Sequence, residues 1–472
     1  MDAEEFRRHA HRLVDWMADY MGSVESLPVK SRVAPGEIAA QLPGAPPNQG
    51  EAFEAIFDDF RRIVMPGITH WQHPSFFAYF PANSSRPSVL AEMLMATLGV
   101  NGMLWQTSPA ATELETRVMQ WLRDMIGLPQ GFTGTIQDTA STATLCAILT
   151  ARERALQGRG NRAGLNGVGA FTTYCSAETH SSIEKDVRIA GLGSENLRSI
   201  PIDDDFAIRV DLLQQAIAAD RAAGRTPLLV TATVGGTANG GFDRVDALAD
   251  LCEREGLWLH VDAAWAGSAF VLPEMRHLMK GCERADSFVF NPHKWLFTNF
   301  DCTAYFVRDP QALLDTFAIQ RVYFDTAEQG RVIDYRDWGV PLGRRFRALK
   351  LWFVIRSYGV EGLQATIRQH IASAQDFASW IEASEDFELM APAKLALVVF
   401  RYRPPDMEDP AELDALNARL LAALNDDGRM YLTPGKTGGR ATIRFSVGQT
   451  DTRHHHVETA WEIIREAARS LP

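Results

Sequence analysis

The sequence predicts an α/β protein organised around a mainly parallel sheet, and three observations lead there. From residue 169 to 307, runs of strand type alternate with runs of helix type: 171–175, 211–222, 228–233, 245–254, 257–261, 287–290 and 303–307. Two of the strand-type runs end on residues able to carry chemistry. Asp262 closes the run 257–261, and Asn291-Pro292 stops the run 287–290 immediately before His293, Lys294 and Trp295. Side chains placed there reach the crevice at the carboxyl ends of a sheet, where open α/β folds bind ligands. Finally, 472 residues are too many for one simple core, so two or three domains are expected.

Taken in order, residues 4–21 read as an amphipathic helix, with Phe6, Ala10, Leu13, Met17 and Met21 at helical spacing. Residues 28–50 are rich in Pro and Gly and form a connector with a short helix at 37–41. Residues 51–64 make a second amphipathic helix, and 90–100 and 113–125 two more. Ile136-Gln137 leads into Asp138-Thr139-Ala140-Ser141 and a helix to 156, and 158–169 is a Gly/Asn/Arg-rich loop. Residues 273–282 read as the helical crossover between the strands ending at Asp262 and beginning at Ser287. Residues 320–335 are polar and aperiodic, which predicts a mobile loop, and a long helix begins near 345. A smaller α+β unit follows, with strands at 396–402 and 442–447 and helices at 411–425 and 457–468. His454-His455-His456 reads as a polar surface run, since adjacent side chains on one element diverge and do not share a metal.

Composition narrows the class. Hydrophobic residues are 46% and charged residues 22% of the chain, the balance of a soluble globular protein. The net charge of -12 with no basic tract argues against nucleic acid and against an anionic membrane surface. No apolar run is long enough to span a bilayer, and the acidic start leads into no signal-type apolar segment. Five cysteines, none in a Cys-x-x-Cys pair, predict a reducing cytoplasm and neither a disulfide framework nor a zinc site.

Asp262 and Lys294, at the ends of successive strands, are the pair that pyridoxal phosphate requires: an amine for its aldehyde and an acid for its ring nitrogen. Asn291-Pro292-His293-Lys294-Trp295, with Ser287 before it and Phe300, Cys302, Tyr305 and Arg308 after it, resembles the cofactor-attachment signature of the group II pyridoxal-phosphate-dependent amino-acid decarboxylases. The likeness is strongest to the aromatic-L-amino-acid decarboxylases and runs from Glu5-Phe6-Arg7-Arg8 to Trp461. It implies a fold-type I enzyme with a mainly parallel seven-stranded sheet. Residues 1–84 would form a dimerising helical arm, 85–349 the large cofactor domain and 350–472 a small α+β domain. The implied reaction is decarboxylation of an aromatic L-amino acid to an arylalkylamine, by a homodimer with shared active sites. The alternatives are an aldehyde synthase and a decarboxylase of a non-aromatic amino acid.

The resemblance also assigns residues. Thr139, Ala140 and Ser141, which alone read as a helix cap, would bind the cofactor phosphate with help from Asn291 and His293. His180 would lie on the cofactor ring, Thr237 would contact the cofactor region, and Ala264 is small because the ring packs over it. Asp262 would hold the pyridinium nitrogen and Lys294 the aldehyde. Tyr323, an aromatic in the polar loop, would return a proton to the substrate carbon; relatives with Phe there form aldehydes, as do others with Asn in place of His180. Trp71, Tyr79, Phe80 and Pro81 match the aromatic substrate pocket, although such a stretch also suits core packing. Ala82, Asn101 and Met103 depart from the animal pattern at pocket positions, and Gly343 is the residue type of indole-accepting relatives.

Overall fold

The computed structural model describes residues 1–319, 328 and 330–471. Seven strands form the large sheet: β1 (Thr133–Gln137), β2 (Phe171–Ser176), β3 (Leu197–Ile200), β4 (Thr226–Thr233), β5 (Trp258–Asp262), β6 (Ser287–Phe290) and β7 (Thr303–Val307), in the order β1-β7-β6-β5-β4-β2-β3. Only β7 runs against its neighbours β1 and β6; the other pairings are parallel. Parallel strands need covered faces. Helices such as Pro109–Ile126, Ala140–Leu156 and Val245–Glu255 supply the cover, and β2, β5, β6 and β7 are buried along their whole length.

A second sheet follows in the order β10-β11-β9-β8, all antiparallel: β8 (Phe387–Leu389), β9 (Leu397–Tyr402), β10 (Thr433–Thr437) and β11 (Arg440–Ser446). The two sheets are joined by the helix Ala348–Glu382, interrupted at Gly359, where φ is 64° and ψ 168°. One continuous apolar cluster runs from Phe288 and Phe290 in the large sheet to Phe377, Phe400 and Trp461 in the small unit. Each large side chain buried there stabilises the fold by about 1.5–3 kcal/mol, so the two sheets are held in fixed relation by a shared core.

Several sequence expectations are corrected. The stretch between β5 and β6 is a series of 3-10 turns (Ala266–Val271, Pro273–Met279 and Cys282–Arg284) and not an α-helix. Gly267 explains part of this: a Cβ there would stand 2.4 Å from the Phe290 Cβ, so the chain is pressed flat on β6. The Gly-rich loop contains a short helix, Arg159–Ala163. Strands β3, β8 and β10 were not foreseen, because each is short and half-exposed and lacks a continuous apolar run. His454 begins the last helix, His454–Ser470, instead of preceding it, and His456 is buried.

Candidate active site

Backbone pairing brings the two strand-end motifs together. β5 and β6 run in parallel with Asp262 opposite Val289. The ladder continues past both strands: Ala263 N–H donates to the Val289 carbonyl at 2.9 Å and Asn291 N–H to the Ala264 carbonyl at 2.8 Å. Pro292 then opens a single helical turn, Pro292–Trp295, that carries Lys294. The reversed strand β7 fixes this turn from the other side. Thr303 Oγ1 donates to Asn291 Oδ1 at 2.8 Å and to the Asp138 carbonyl at 3.1 Å, and Cys302 N–H donates to His293 Nδ1 at 3.0 Å. His293 and Asn291 are buried, and these bonds occupy His293 Nδ1 and Asn291 Oδ1.

Asp262 is buried, with Oδ1 accepting from Ala264 N–H at 3.0 Å. Burial pushes its carboxyl above the ordinary range, and Lys294 pulls it back. Lys294 is half-buried, and its amine makes no hydrogen bond to a described residue. Desolvation holds the amine below its usual pKa, Asp262 opposes this, and Arg444 adds to it. Ala264, Thr237 and Thr139 to Ser141 are also half-buried, as residues lining a crevice should be. Thr139 caps the helix Ala140–Leu156, its hydroxyl accepting from Thr142 N–H at 3.4 Å. The amides of Ala140 and Ser141 lie in the first turn, where no helical carbonyl reaches them, so they suit an anion. Thr237 follows Gly235, whose φ of +84° and a virtual Cβ 2.5 Å from Ala266 admit no side chain.

His180 precedes the helix Ser182–Ile189. Its Nδ1 accepts from Ser182 N–H at 3.2 Å, which leaves the proton of the neutral ring on Nε2. Desolvation lowers its pKa and favours that neutral form. The aromatic stretch divides. Trp71 stacks on Phe76 at 4.5 Å and on Tyr79 at 5.5 Å, and both Trp71 and Tyr79 are exposed. Phe80 is buried against Trp265 at 4.7 Å and Trp295 at 5.3 Å, a packing position under the lysine turn; Pro81 beside it is buried and Ala82 half-buried. Asn101, Met103 and Gly343 come together elsewhere: Asn101 Oδ1 accepts from Arg344 N–H at 2.9 Å, and the Met103 carbonyl from Arg336 N–H at 3.1 Å. Tyr323 lies outside the described residues.

Three neighbours of this crevice had no sequence signal. Arg444 on β11 is buried with its pKa pushed down to about 10 by desolvation, and it faces Lys294 and His180 electrostatically. Asn83 reads as a loop residue after Pro81. Asp186 hides on an amphipathic helix; it is buried, and its Oδ2 has no hydrogen-bond partner among the described residues.

Burial, and then the charge of Asp262, push the Asp186 carboxyl up to about 7. Between the ordinary value of 3.8 and about 7, the folded chain keeps a proton that the unfolded chain has released. This group's contribution to stability therefore falls as pH rises through that window. Asp186→Asn is expected to match the parent near pH 4 and to melt roughly a few degrees higher near pH 8. Melting curves at both pH values check this, and an equal difference at both would contradict it.

Among the described residues, Glu25, His455 and His456 place possible metal-ligand atoms within 4.8 Å of one another, so the adjacent histidines do converge. His456 Nδ1 accepts from Arg453 N–H at 2.9 Å, and its Nε2–H donates to Glu25 Oε1 at 3.0 Å. Both ring nitrogens are thus occupied, and the cluster is a hydrogen-bonded seam between the N-terminal arm and the last helix.

An amine made less basic by desolvation, an adjacent buried carboxylate and an anion-ready helix start are the complement of pyridoxal phosphate, its aldehyde, ring nitrogen and phosphate respectively. With the single reversed strand of the sheet, they define a fold-type I pyridoxal-phosphate enzyme. The model of the pyridoxal-dependent decarboxylase conserved domain matches residues 35–403, and the chain belongs to that family. The aromatic-L-amino-acid decarboxylase of Bos taurus is 44% identical over all of this chain and 97% of its own length. A Catharanthus roseus tryptophan decarboxylase solved with L-tryptophan superposes with a TM-score of 0.93 at 39% identity, covering 100% of this chain and 99% of that one. The Rhodiola rosea 4-hydroxyphenylacetaldehyde synthase gives the same TM-score at 37% identity, covering 100% and 99%. The enzyme is a pyridoxal-phosphate-dependent carboxy-lyase.

Proposed function

We propose that this enzyme decarboxylates aromatic L-amino acids to arylalkylamines. The observation that carries the reading is the full-length likeness to enzymes named for such substrates, in a chain that keeps Lys294, Asp262 and His180 around one crevice. When bound, pyridoxal phosphate supplies the electron sink into which the bond to the substrate carboxylate breaks. The Ala140 and Ser141 amides and the Thr139 hydroxyl hold the phosphate. Lys294 Nζ holds the aldehyde, and its lowered basicity gives it the lone pair this needs. Asp262 keeps the ring nitrogen protonated through a charge-assisted hydrogen bond. His180, exposed at the mouth of the site, would orient the substrate through Nε2–H. Tyr323, on the strength of the sequence resemblance, returns the proton to carbon.

Trp71 and Tyr79 supply an exposed aromatic wall, whereas Phe80 supports the lysine turn from the core. We assign residues 1–84 to a dimerising arm, 85–349 to the cofactor domain and 350–472 to the small domain. The helix Ala3–Ser23 buries only His9, while Phe6, Ile56, Leu90, Leu94 and Leu98 are exposed, which supports a second copy as the cover for this face. Asn101 and Gly343 are exposed and Met103 is half-buried, which fits a contribution to the partner's pocket. Five free cysteines, all buried, support a cytoplasmic site.

The test is a product assay with tryptophan, 5-hydroxytryptophan, tyrosine, DOPA and phenylalanine, following amine, aldehyde and peroxide, on the parent and on Tyr323→Phe. The parent is expected to yield amine without peroxide and the variant aldehyde with peroxide. Aldehyde from the parent would favour the second reading, an aldehyde synthase, which the likeness to the Rhodiola rosea enzyme keeps in view. Unchanged amine from the variant would remove Tyr323 from its role.

A further inference from the structure

The turn that carries Lys294 is too short to satisfy its own carbonyls. It spans Pro292–Trp295, and its backbone bonds are Lys294 N–H to the Asn291 carbonyl at 2.9 Å and Leu296 N–H to the Pro292 carbonyl at 3.1 Å. The carbonyls of His293 and Lys294, on either side of the Lys294 Cα, are both taken by one residue. Asn83 N–H donates to the His293 carbonyl at 2.7 Å, and Asn83 Nδ2 donates to the Lys294 carbonyl.

The same side chain reaches the other sheet. Nδ2 also donates to the Gly448 carbonyl at 2.6 Å, and Oδ1 accepts from Thr450 N–H at 2.7 Å and Thr450 Oγ1 at 2.9 Å. Two carbonyls on one end and an amide donor on the other fix the orientation of the Asn83 amide without ambiguity. Asn83 is 1% exposed, so these bonds are made away from bulk solvent. Gly448 and Thr450 lie just past the end of β11, outside the large sheet.

The residues leading into Asn83 are bound to β11 as well. Ser446 N–H donates to the Phe77 carbonyl at 2.9 Å, and the Tyr79 carbonyl accepts from Arg444 at 2.9 Å and from Ser446 Oγ at 2.5 Å. Tyr79 is held with φ of 56°, a left-handed conformation that costs an aromatic residue free energy and persists because these bonds impose it. A strap from Phe77 to Asn83 therefore carries the exposed Tyr79, follows β11, and ends on the backbone of the lysine turn.

We propose that Asn83 is a positioning residue that couples the Tyr79 strap and the β11 exit to the orientation of Lys294. A shift of the strap or of β11, such as a substrate ring pressing on Tyr79, is delivered to the two carbonyls flanking the lysine. Asn83 touches neither substrate nor cofactor; it acts through Lys294. The inference rests on Lys294 being the residue that holds the cofactor.

The experiment compares Asn83→Ala, Thr450→Val and the double variant, as holoenzymes, with the parent. The readouts are cofactor affinity by titration of the stripped protein, the pH midpoint of the bound cofactor's visible absorbance, and the melting temperature. N83A is expected to weaken cofactor binding about tenfold and to move the midpoint by at least about half a unit, since the buried Lys294 and Gly448 carbonyls lose their side-chain donor while the His293 carbonyl keeps the backbone N–H of residue 83. T450V removes the Thr450 hydroxyl, whose single proton is shared between Asn83 Oδ1 at 2.9 Å and the Ser84 carbonyl at 2.7 Å, and is expected to move both readouts the same way by less. The double variant is expected to resemble N83A alone, because Thr450 acts through Asn83.

A lower melting temperature with affinity and midpoint unchanged would make Asn83 purely structural and overturn the proposal. So would strictly additive effects of the two substitutions. If N83A does not fold, T450V with parental affinity and midpoint overturns the proposal by itself. Borohydride reduction of the parent holoenzyme followed by peptide mapping keeps the two claims apart. Cofactor fixed on another residue refutes the role of Lys294; cofactor fixed on Lys294 with parental variants refutes only the coupling.

Discussion

Replacing Lys294 by Ala is expected to lower amine formation by at least about 10³-fold, because it removes the only side chain proposed to hold the cofactor covalently. Lys350, the lysine felt at the adjacent His293, is already committed to Glu92 at 3.1 Å. Arg444 is close enough to be felt but is tied to Thr433 and Tyr79, and with its pKa lowered only to about 10 its guanidinium stays protonated near neutral pH and is a poor nucleophile. The Thr139–Ser141 anion site is untouched, so the variant is expected to keep weak cofactor binding that dialysis reverses. Rate measurements with the preferred amino acid, before and after dialysis against cofactor-free buffer, check both parts. Activity within about tenfold of the parent would remove Lys294 from the centre of the mechanism.

The strands that hold this site were legible because strands buried on both faces are written as short, mostly apolar runs; β4, β5, β6 and the reversed β7 have that form, and β2, Phe-Thr-Thr-Tyr-Cys-Ser, is legible from its β-branched and aromatic residues. Asp262 and Lys294 stood out as polar residues at the ends of two such runs, where a bland reading has least to offer. The half-exposed strands β3, β8 and β10 carried no run to read. The 3-10 crossover was misread as a helix because composition does not reveal that Gly267 must lie against Phe290.

The residues behind the site were hidden for a different reason. Asn83, Asp186 and Arg444 matter through partners 365 residues away in the first case and through other elements in the rest, and spacing in the chain does not encode such contacts. Phe80 shows the converse. It sits inside an aromatic motif that invites a substrate-pocket reading, yet its ring is spent on Trp265 and Trp295.

Asp262→Asn is the second large effect, and it isolates charge from shape. The amide oxygen still accepts from Ala264 N–H, now at 3.0 Å to the carboxylate, so the strand end keeps its form. What disappears is the negative charge that, in the proposed role, would keep a proton on the cofactor's ring nitrogen. Without that proton the ring withdraws electrons poorly, and turnover is expected to fall by about 10²–10⁴-fold, the range over which a positioned proton typically matters. The effect on Lys294 has a definite sign. Desolvation already lowers its pKa and Asp262 is the group opposing that shift, so the substitution lowers it further and makes the neutral amine prevail down to a lower pH. In the cofactor-free protein, the rate at which Lys294 reacts with an amine-selective reagent should therefore reach its plateau at lower pH in the variant than in the parent. The two measurements separate the roles: turnover within about tenfold of the parent would refute the ring-nitrogen assignment, whereas an unmoved reactivity profile would show that Asp262 and Lys294 are electrostatically independent.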